Sequence, residues 1–415
     1  MSQTELRAMY RNIHPDLFPK YMEISMWDDQ QRQTLFYEKV EWVLEGEQKG
    51  LRYGENPDQE AALYRLANGN LCLGEIECIQ PGRFLASDAE LLQAGKHPGK
   101  INITDADSAL DILRYLYETP ATVIIKHNNP CGVARGETLL DSFERAFAAD
   151  RLAAFGGVVA CNQTVDEETA QALAEQYFEV VVAPGYSEAA LETLRSKKNL
   201  RVMRIRNMER LSNYVGARVL DFTSLIDGGV VVQWSYVPHL LSKENLIVPE
   251  AERHGESYRM ARMPTEREYD DMRFGWLVEA GVTSNSVMFV KDGVTVSIGA
   301  GEQDRVGAAV IARDKAYRKY ADALSWSRHG MPYHLLESES ARADIDEETA
   351  SAHGGLEGRV MISDAFFPFR DGVDVGLREG VSAVLQPGGS LRDFEVIQAC
   401  NEYDAAMMFT GQRSF

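Results

Sequence analysis

A chain of 415 residues, 45% of them hydrophobic, can form one large catalytic unit or two lobes of ordinary size. A net charge of −20 argues against gripping nucleic acid by bulk electrostatics, although a small basic pocket can still hold one anion. The polar opening MSQTELRAMYRN, the lack of any apolar run near the roughly 18 residues of a membrane span, and five cysteines without a CxxC pair point to a cytoplasmic protein with no membrane partner.

Residues 1–50 read as an N-terminal helical segment ahead of the main fold. Beyond them, short β-branched runs alternate with amphipathic segments. ATVII (121–125), GGVVAC (156–161), EVVVA (179–183) and GVVVQ (229–233) fall in a first lobe over 51–234. SVMFV (286–290), VTVSIG (294–299), VSAVL (381–385) and AMMFT (406–410) fall in a second over 281–415. This alternation predicts an α/β fold. A helical connection is expected over 235–280 and a helical insertion near 313–357, both polar and poor in strand signals. Helix starts are read from a hydroxyl and a carboxylate three positions apart: Thr104 with Asp107, Thr138 with Asp141, Thr164 with Glu167, Ser390 with Asp393. No internal repeat at solenoid period is visible.

The stretch TVIIKHNNPCGVA (122–134) runs an apolar strand into Lys126 and His127 and then into a loop of asparagines, proline, cysteine and glycine. Strand carboxyl ends are where α/β sheets place their ligands. An imidazole there suits general base work, and a lysine in a partly dry pocket suits a developing oxyanion. A surface ion pair for Lys126 and a turn cap for His127 carry equal weight on the sequence alone. The zinc deaminase signature, H-x-E followed at an interval by P-C-x-x-C, fails here. Asn129 stands in place of the glutamate, Pro130-Cys131 follows without the interval, and Ala134 replaces the second cysteine ligand. No metal site is expected.

Four further stretches look chemical. LRYGENPDQ (51–59) offers Arg52 and Tyr53 ahead of a turn that exposes amides. SIGAGEQDR (297–305) runs a strand into a glycine loop with Arg305 at a helix start, but Asp304 breaks the G-x-G-x-x-G pattern. SDAFFPFRDGVD (363–374) surrounds Pro368 with Phe366, Phe367 and Phe369; core packing explains one or two of these rings, and an apolar slot for a flat ligand edged by Asp371 explains all of them. TGQRSF (410–415) puts Arg413 just beyond a strand, where it would carry no weight alone.

Together with FGGVVA, APGYSEAAL, SNSV and QPGGSLRD, these stretches resemble AICAR transformylase, the folate-dependent formyltransferase of late purine biosynthesis, in its order from about residue 50 to the last residue. The resemblance implies two cytidine-deaminase-like α/β/α lobes and a homodimer with shared active sites. It further implies 10-formyltetrahydrofolate as co-substrate, AICAR as acceptor, and room for a monovalent cation. Lys126 and His127 correspond to the family's catalytic pair. Arg52, Tyr53, Gly156, Glu179, Asn285, Arg305, Phe366 and Arg413 fall at nucleotide-binding positions, and Phe155, Val306, Pro368, Phe369 and Asp371 at folate-binding ones.

About fifty residues precede LRYGENP, fewer than the inosinate cyclohydrolase domain of the family's bifunctional form needs, so a stand-alone transformylase is the expectation. The chain departs from the family pattern at Asp58, Asn128 and Asp304. A degenerate deaminase-like hydrolase, marked by stoichiometric zinc, and a nucleotide-binding regulator without catalysis, marked by binding without turnover, are the alternative readings.

Overall fold

The computed structural model describes residues 16–27, 31–44, 46–73, 76–77 and 82–415. It is mixed α/β and divides into two compact units: residues up to 128 with Phe155–Val237, and Asn129–Ala154 with Pro238–Phe415.

In the first unit the β-branched runs become strands, ordered across the sheet Ala121–Lys126, Val158–Cys161, Val180–Ala183, Arg201–Arg204 and Glu90–Gln93. The middle three are parallel, and the outer two run antiparallel to their neighbours. Val123, Ile124, Ile125, Val159, Val181 and Val182 are fully buried, as continuous apolar runs require when both faces of a sheet are covered. The helix Lys100–Leu113 packs on the Ala121–Lys126 and Val158–Cys161 strands.

The helical expectation for residues 1–50 fails wherever it can be tested. Tyr21–Trp27, Arg32–Lys39 and Tyr64–Gly69 form a three-stranded antiparallel sheet, and Trp42–Leu44 pairs with Glu47–Lys49. YMEISMW alternates exposed and half-buried positions over much of its length, the period of a strand rather than a helix. Residues 1–15 lie outside the described residues.

In the second unit the strand order is Ala406–Phe409, Ala383–Gln386, Val360–Ser363, Val287–Lys291, Val294–Gly299 and Asn129–Arg135. The first three are parallel and the rest antiparallel. Phe289, Met361, Phe367, Val384 and Ile397 centre its core. The 313–357 stretch is helical, in Arg305–His329 and Glu339–Ser351. The 235–280 stretch is only partly so. Apart from one 3-10 turn, its helix is Glu266–Glu279, and Glu250–Arg253 pairs with Glu256–Arg259 around His254 and Gly255, both with positive φ.

Asn129–Arg135, read as loop, is a strand, because His127 and Asn128 complete the turn in two residues and Pro130 falls near the strand's start. Thr138 caps its helix as expected. The other starts move: Gly99 rather than Thr104, Asp166 rather than Thr164, and Asp393 itself begins the last helix, with Ser390 Oγ accepting from Arg392 N. Among the described residues no helix is long and apolar enough to cross a membrane.

One element order occurs twice. Helix, strand, two-residue turn, strand, helix, then three parallel strands joined by helices runs from Lys100 to Arg204 and again from Glu266 to Phe409.

Candidate active site

The candidate residues of the first unit gather along one row of its sheet. Ile125 pairs with Val158, Val158 with Val180, and Val180 with Arg201, so Lys126, Gly157 and Glu179 stand one step further on. Lys126 ends its own strand, yet that strand is antiparallel to the trio. The cluster therefore lies at the amino ends of the parallel strands, contrary to the expectation drawn from strand carboxyl ends. Lys126 Nζ donates to the carbonyl of Phe155 at 2.6 Å. Phe155, 61% exposed, has its ring 4.9 Å from that of Tyr177, and Gly156 takes φ +74°, a turn that suits glycine.

His127 and Asn128 have φ of 56° and 60°, the left-handed region that side chains resist. Asp105, buried in the helix Lys100–Leu113, accepts from both of their backbone amides, at 3.3 Å from His127 and 2.7 Å from Asn128. Burial pushes the Asp105 carboxyl upward, against the pull of those two amides. One turn earlier on the same helix, Asn102 accepts from Gly99 N at the helix start and donates to Glu179 at 3.1 Å. Arg201, 1% exposed, donates to Glu179 at 3.3 Å. Arg52 is buried, which lowers its pKa; it donates to Tyr53 Oη at 2.7 Å and lies 4.3 Å over that ring. Tyr53 O in turn accepts from Lys100 N, joining this pair to the start of the helix.

The second unit gathers its candidates at the carboxyl ends of its parallel trio. Arg305 is the first residue of a helix capped by Asp304, whose side chain accepts from Gly307 N at 2.7 Å; the departure at 304 thus keeps a capping function. The Arg305 guanidinium pairs with Asp364, which is fully buried and also accepts from Ser284 Oγ at 2.5 Å. Burial lowers Arg305 to about 10. Its charge is already matched by Asp364, so it is a hydrogen-bonding and orienting group more than a free cation. Asn285 Nδ2 donates to Glu302 O at 2.8 Å. Nearby, Glu279 is fully buried with Ser286 Oγ on one oxygen, and desolvation raises it to about 8.

The three rings of FFPF separate. Phe367 is core, Phe366 is half-buried with the Arg413 guanidinium 5.1 Å over it, and Phe369 is 51% exposed with Arg392 5.0 Å over it. Phe369 is the residue before the helix that begins at Arg370 and makes no side-chain cap; Asp371 stands exposed in that helix's first turn, Pro368 is exposed ahead of it, and Val306 follows Arg305 half-buried on its own helix. Among the described residues no group of three or more His, Cys, Asp or Glu side chains is arranged to hold a metal ion.

Sequence reasoning missed Asp105, Asn102, Arg201 and Asp364. The signal for the first two was the three-residue spacing in GKINITDAD, hidden by starting the helix at Thr104.

Residues 19–315 match the family model described as the AICARFT/IMPCHase bienzyme. The chain is 40% identical over 367 residues to the "Bifunctional purine biosynthesis protein PurH" of Ruegeria sp. (strain TM1040), covering 88% of this chain and 59% of that protein. It is 35% identical over 372 residues to the protein of the same name from Caldicellulosiruptor saccharolyticus, covering 90% of this chain and 60% of that protein. The chain thus spans about three fifths of the length of these relatives.

Proposed function

The chain belongs to the AICARFT/IMPCHase bienzyme family, and from that premise we propose that it moves a formyl group from 10-formyltetrahydrofolate to the 5-amine of AICAR in purine biosynthesis. The observation that carries this reading is the Lys126–His127 pair, set in an anchored left-handed turn beside the Phe155 carbonyl and in the row of Glu179.

The acceptor amine donates its lone pair into an imidazole bearing a carboxamide, so attack on the formyl carbon needs proton removal. In this reading His127 takes the proton as the C–N bond forms, and the formyl oxygen becomes an oxyanion. Lys126 steadies that oxyanion; an ammonium has three donors, and Phe155 O occupies one. Collapse then breaks the C–N10 bond, and N10 takes up the proton that His127 accepted, so that tetrahydrofolate leaves and the base is restored. Arg52, Tyr53, Gly156, Glu179, Asn285, Arg305, Phe366 and Arg413 are assigned to the nucleotide, as the family resemblance implies. The exposed rings of Phe155 and Phe369, with Val306, Pro368 and Asp371, are assigned to the pterin. The units themselves are read as cytidine-deaminase-like lobes, a reading supported by the repeated order of elements.

A homodimer is part of the proposal. Among the described residues the strands Leu220–Ser224 and Val230–Trp234 pair only with each other, and this hairpin exposes Leu225, Ile226, Val230, Val231 and Val232. An isolated two-stranded hairpin with that much apolar surface favours burial against a partner. Val231→Glu is expected to shift the protein toward monomer in light scattering.

The deciding experiment follows absorbance as 10-formyltetrahydrofolate and AICAR are mixed with the purified chain. Formyl transfer supports the proposal; AICAR binding without turnover favours the regulator.

A further inference from the structure

We propose that Asp105 is a positioning residue for formyl transfer: its buried carboxylate holds the His127–Asn128 turn in its left-handed form and so aims Lys126 and His127. This rests on the formyltransferase reading above. Both carboxylate oxygens are engaged, Oδ1 by Asn128 N and Oδ2 by His127 N. Neither turn residue is glycine, so φ of 56° and 60° at two consecutive positions carries a steric cost, one that histidine and asparagine bear better than most side chains but do not remove. Asp105 is 4% exposed and has no ion pair among the described residues. A buried carboxylate without a cation is costly, and its binding capacity is spent on these two amides. It stands on a fourteen-residue helix, which makes it a rigid post rather than another loop contact.

The second unit carries the same device without the catalytic pair. Asp271, like Asp105 the sixth residue of its helix, accepts from Gly293 N at 3.0 Å in the turn Asp292–Gly293, with φ of 52° and 68°. There a glycine takes the second left-handed position, and Arg267 pairs with the aspartate at 3.0 Å. The turn that has to present two functional side chains is the one that forgoes glycine, and it is the one whose aspartate has no Arg or Lys partner among the described residues.

The test uses the full chain, with kcat, KM for AICAR and urea unfolding measured for each variant. A misplacement of about 1 Å costs about 10²-fold, so Asp105→Ala is expected to lower kcat by at least about tenfold with KM changed less than about threefold. Adding Asn128→Gly, which lets the turn keep its shape unaided, is expected to return part of that loss. Asp271→Ala, removing a buried carboxylate from the matching turn, should leave kcat within about twofold of wild type. If Asp105→Ala does not fold, Asp105→Asn, which can serve only one of the two amides with an oxygen, is read for the same kcat loss. Unchanged kcat in the folded Asp105 variant, or a loss that Asn128→Gly does not relieve, overturns the positioning role. His127→Ala runs alongside. Full turnover there overturns the base role of His127, and no formyl transfer by the wild-type chain overturns the formyltransferase reading itself, whereas a dead His127→Ala beside a fully active Asp105 variant overturns the positioning role only.

Discussion

In the first unit Lys126, Gly156 and Glu179 gather at the amino ends of the parallel strands Val158–Cys161, Val180–Ala183 and Arg201–Arg204. In the second, Asp364, Phe366 and Arg413 follow the carboxyl ends of Val360–Ser363 and Ala406–Phe409, which flank Ala383–Gln386. The order of elements is the same in both, so the frame alone does not choose the end. The difference lies in how the helix ahead of each sheet is satisfied. Its third residue is Asn102 in the first unit, an amide left to reach Glu179, and Glu268 in the second, a carboxylate locked to Arg262 at 2.9 Å and to its own Thr265 cap. The turn after the strand is His127–Asn128 in one and Asp292–Gly293 in the other, each preceded by a lysine, Lys126 or Lys291. Polar groups already paired with one another stabilise a unit; groups held in place without full pairing remain available to a substrate.

The sharpest way to break this comparison is to remove matching side chains from the two turns. His127→Ala is expected to lower kcat in the formyl-transfer assay by about 10²–10⁴-fold with AICAR binding largely kept, while Asp292→Ala stays within about twofold. Equal losses would mean that the histidine is a turn residue and nothing more. Lys126→Met is expected to cost about 10²–10³-fold in kcat and Lys291→Met almost nothing.

Smaller effects are expected on stability. Gly293→Ala forces a Cβ into the left-handed region 2.8 Å from the Arg135 guanidinium and should cost about 1–2 kcal/mol in urea unfolding, whereas Asn128→Gly should change it by less than about 1 kcal/mol. The helix Glu266–Glu279 adds a pH signature with two opposite arms. Glu268 is buried, which alone would raise it, but the Arg262 guanidinium and the Thr265 amide hold it at about 2. Its contribution is therefore present above the ordinary carboxylate value of 4.5 and lost as pH falls from there through about 2. Glu279 is raised by burial to about 8, so it holds its proton in the folded chain and costs stability as pH rises from 4.5 toward about 8. Thermal unfolding of Glu268→Gln should flatten the acid arm, and Glu279→Gln the alkaline one.

Much of the architecture could be read along the chain. The runs ATVII, VVAC, VVVA and VMFV became central strands because a β-branched stretch buried on both faces has few other solutions, and the apolar run AMMF became the buried strand at one end of the sheet. The basic pair stood out for the same reason, since charge at the end of such a run needs an explanation. GVVVQ shows the limit: it is a strand, but its valines stay exposed in a two-stranded hairpin, a fate that depends on neighbours and not on local pattern. The strands at the amino terminus went unread because Tyr21–Trp27 alternates only between half-buried and exposed positions and Arg32–Lys39 is half-buried almost throughout with Leu35 alone buried, a contrast too weak to outweigh charge-rich segments.

Sequence alone determined which side chains are present to do chemistry, where the buried strands run, and that Lys126 and His127 leave one of them together. Tertiary structure decided that this strand runs against its parallel neighbours, so that Lys126 meets the Phe155 carbonyl in the row of Glu179 at their amino ends, and that Asp105 reaches across to hold the turn. Those facts depend on strand direction and on contacts between residues more than twenty positions apart, and neither is encoded in any local periodicity.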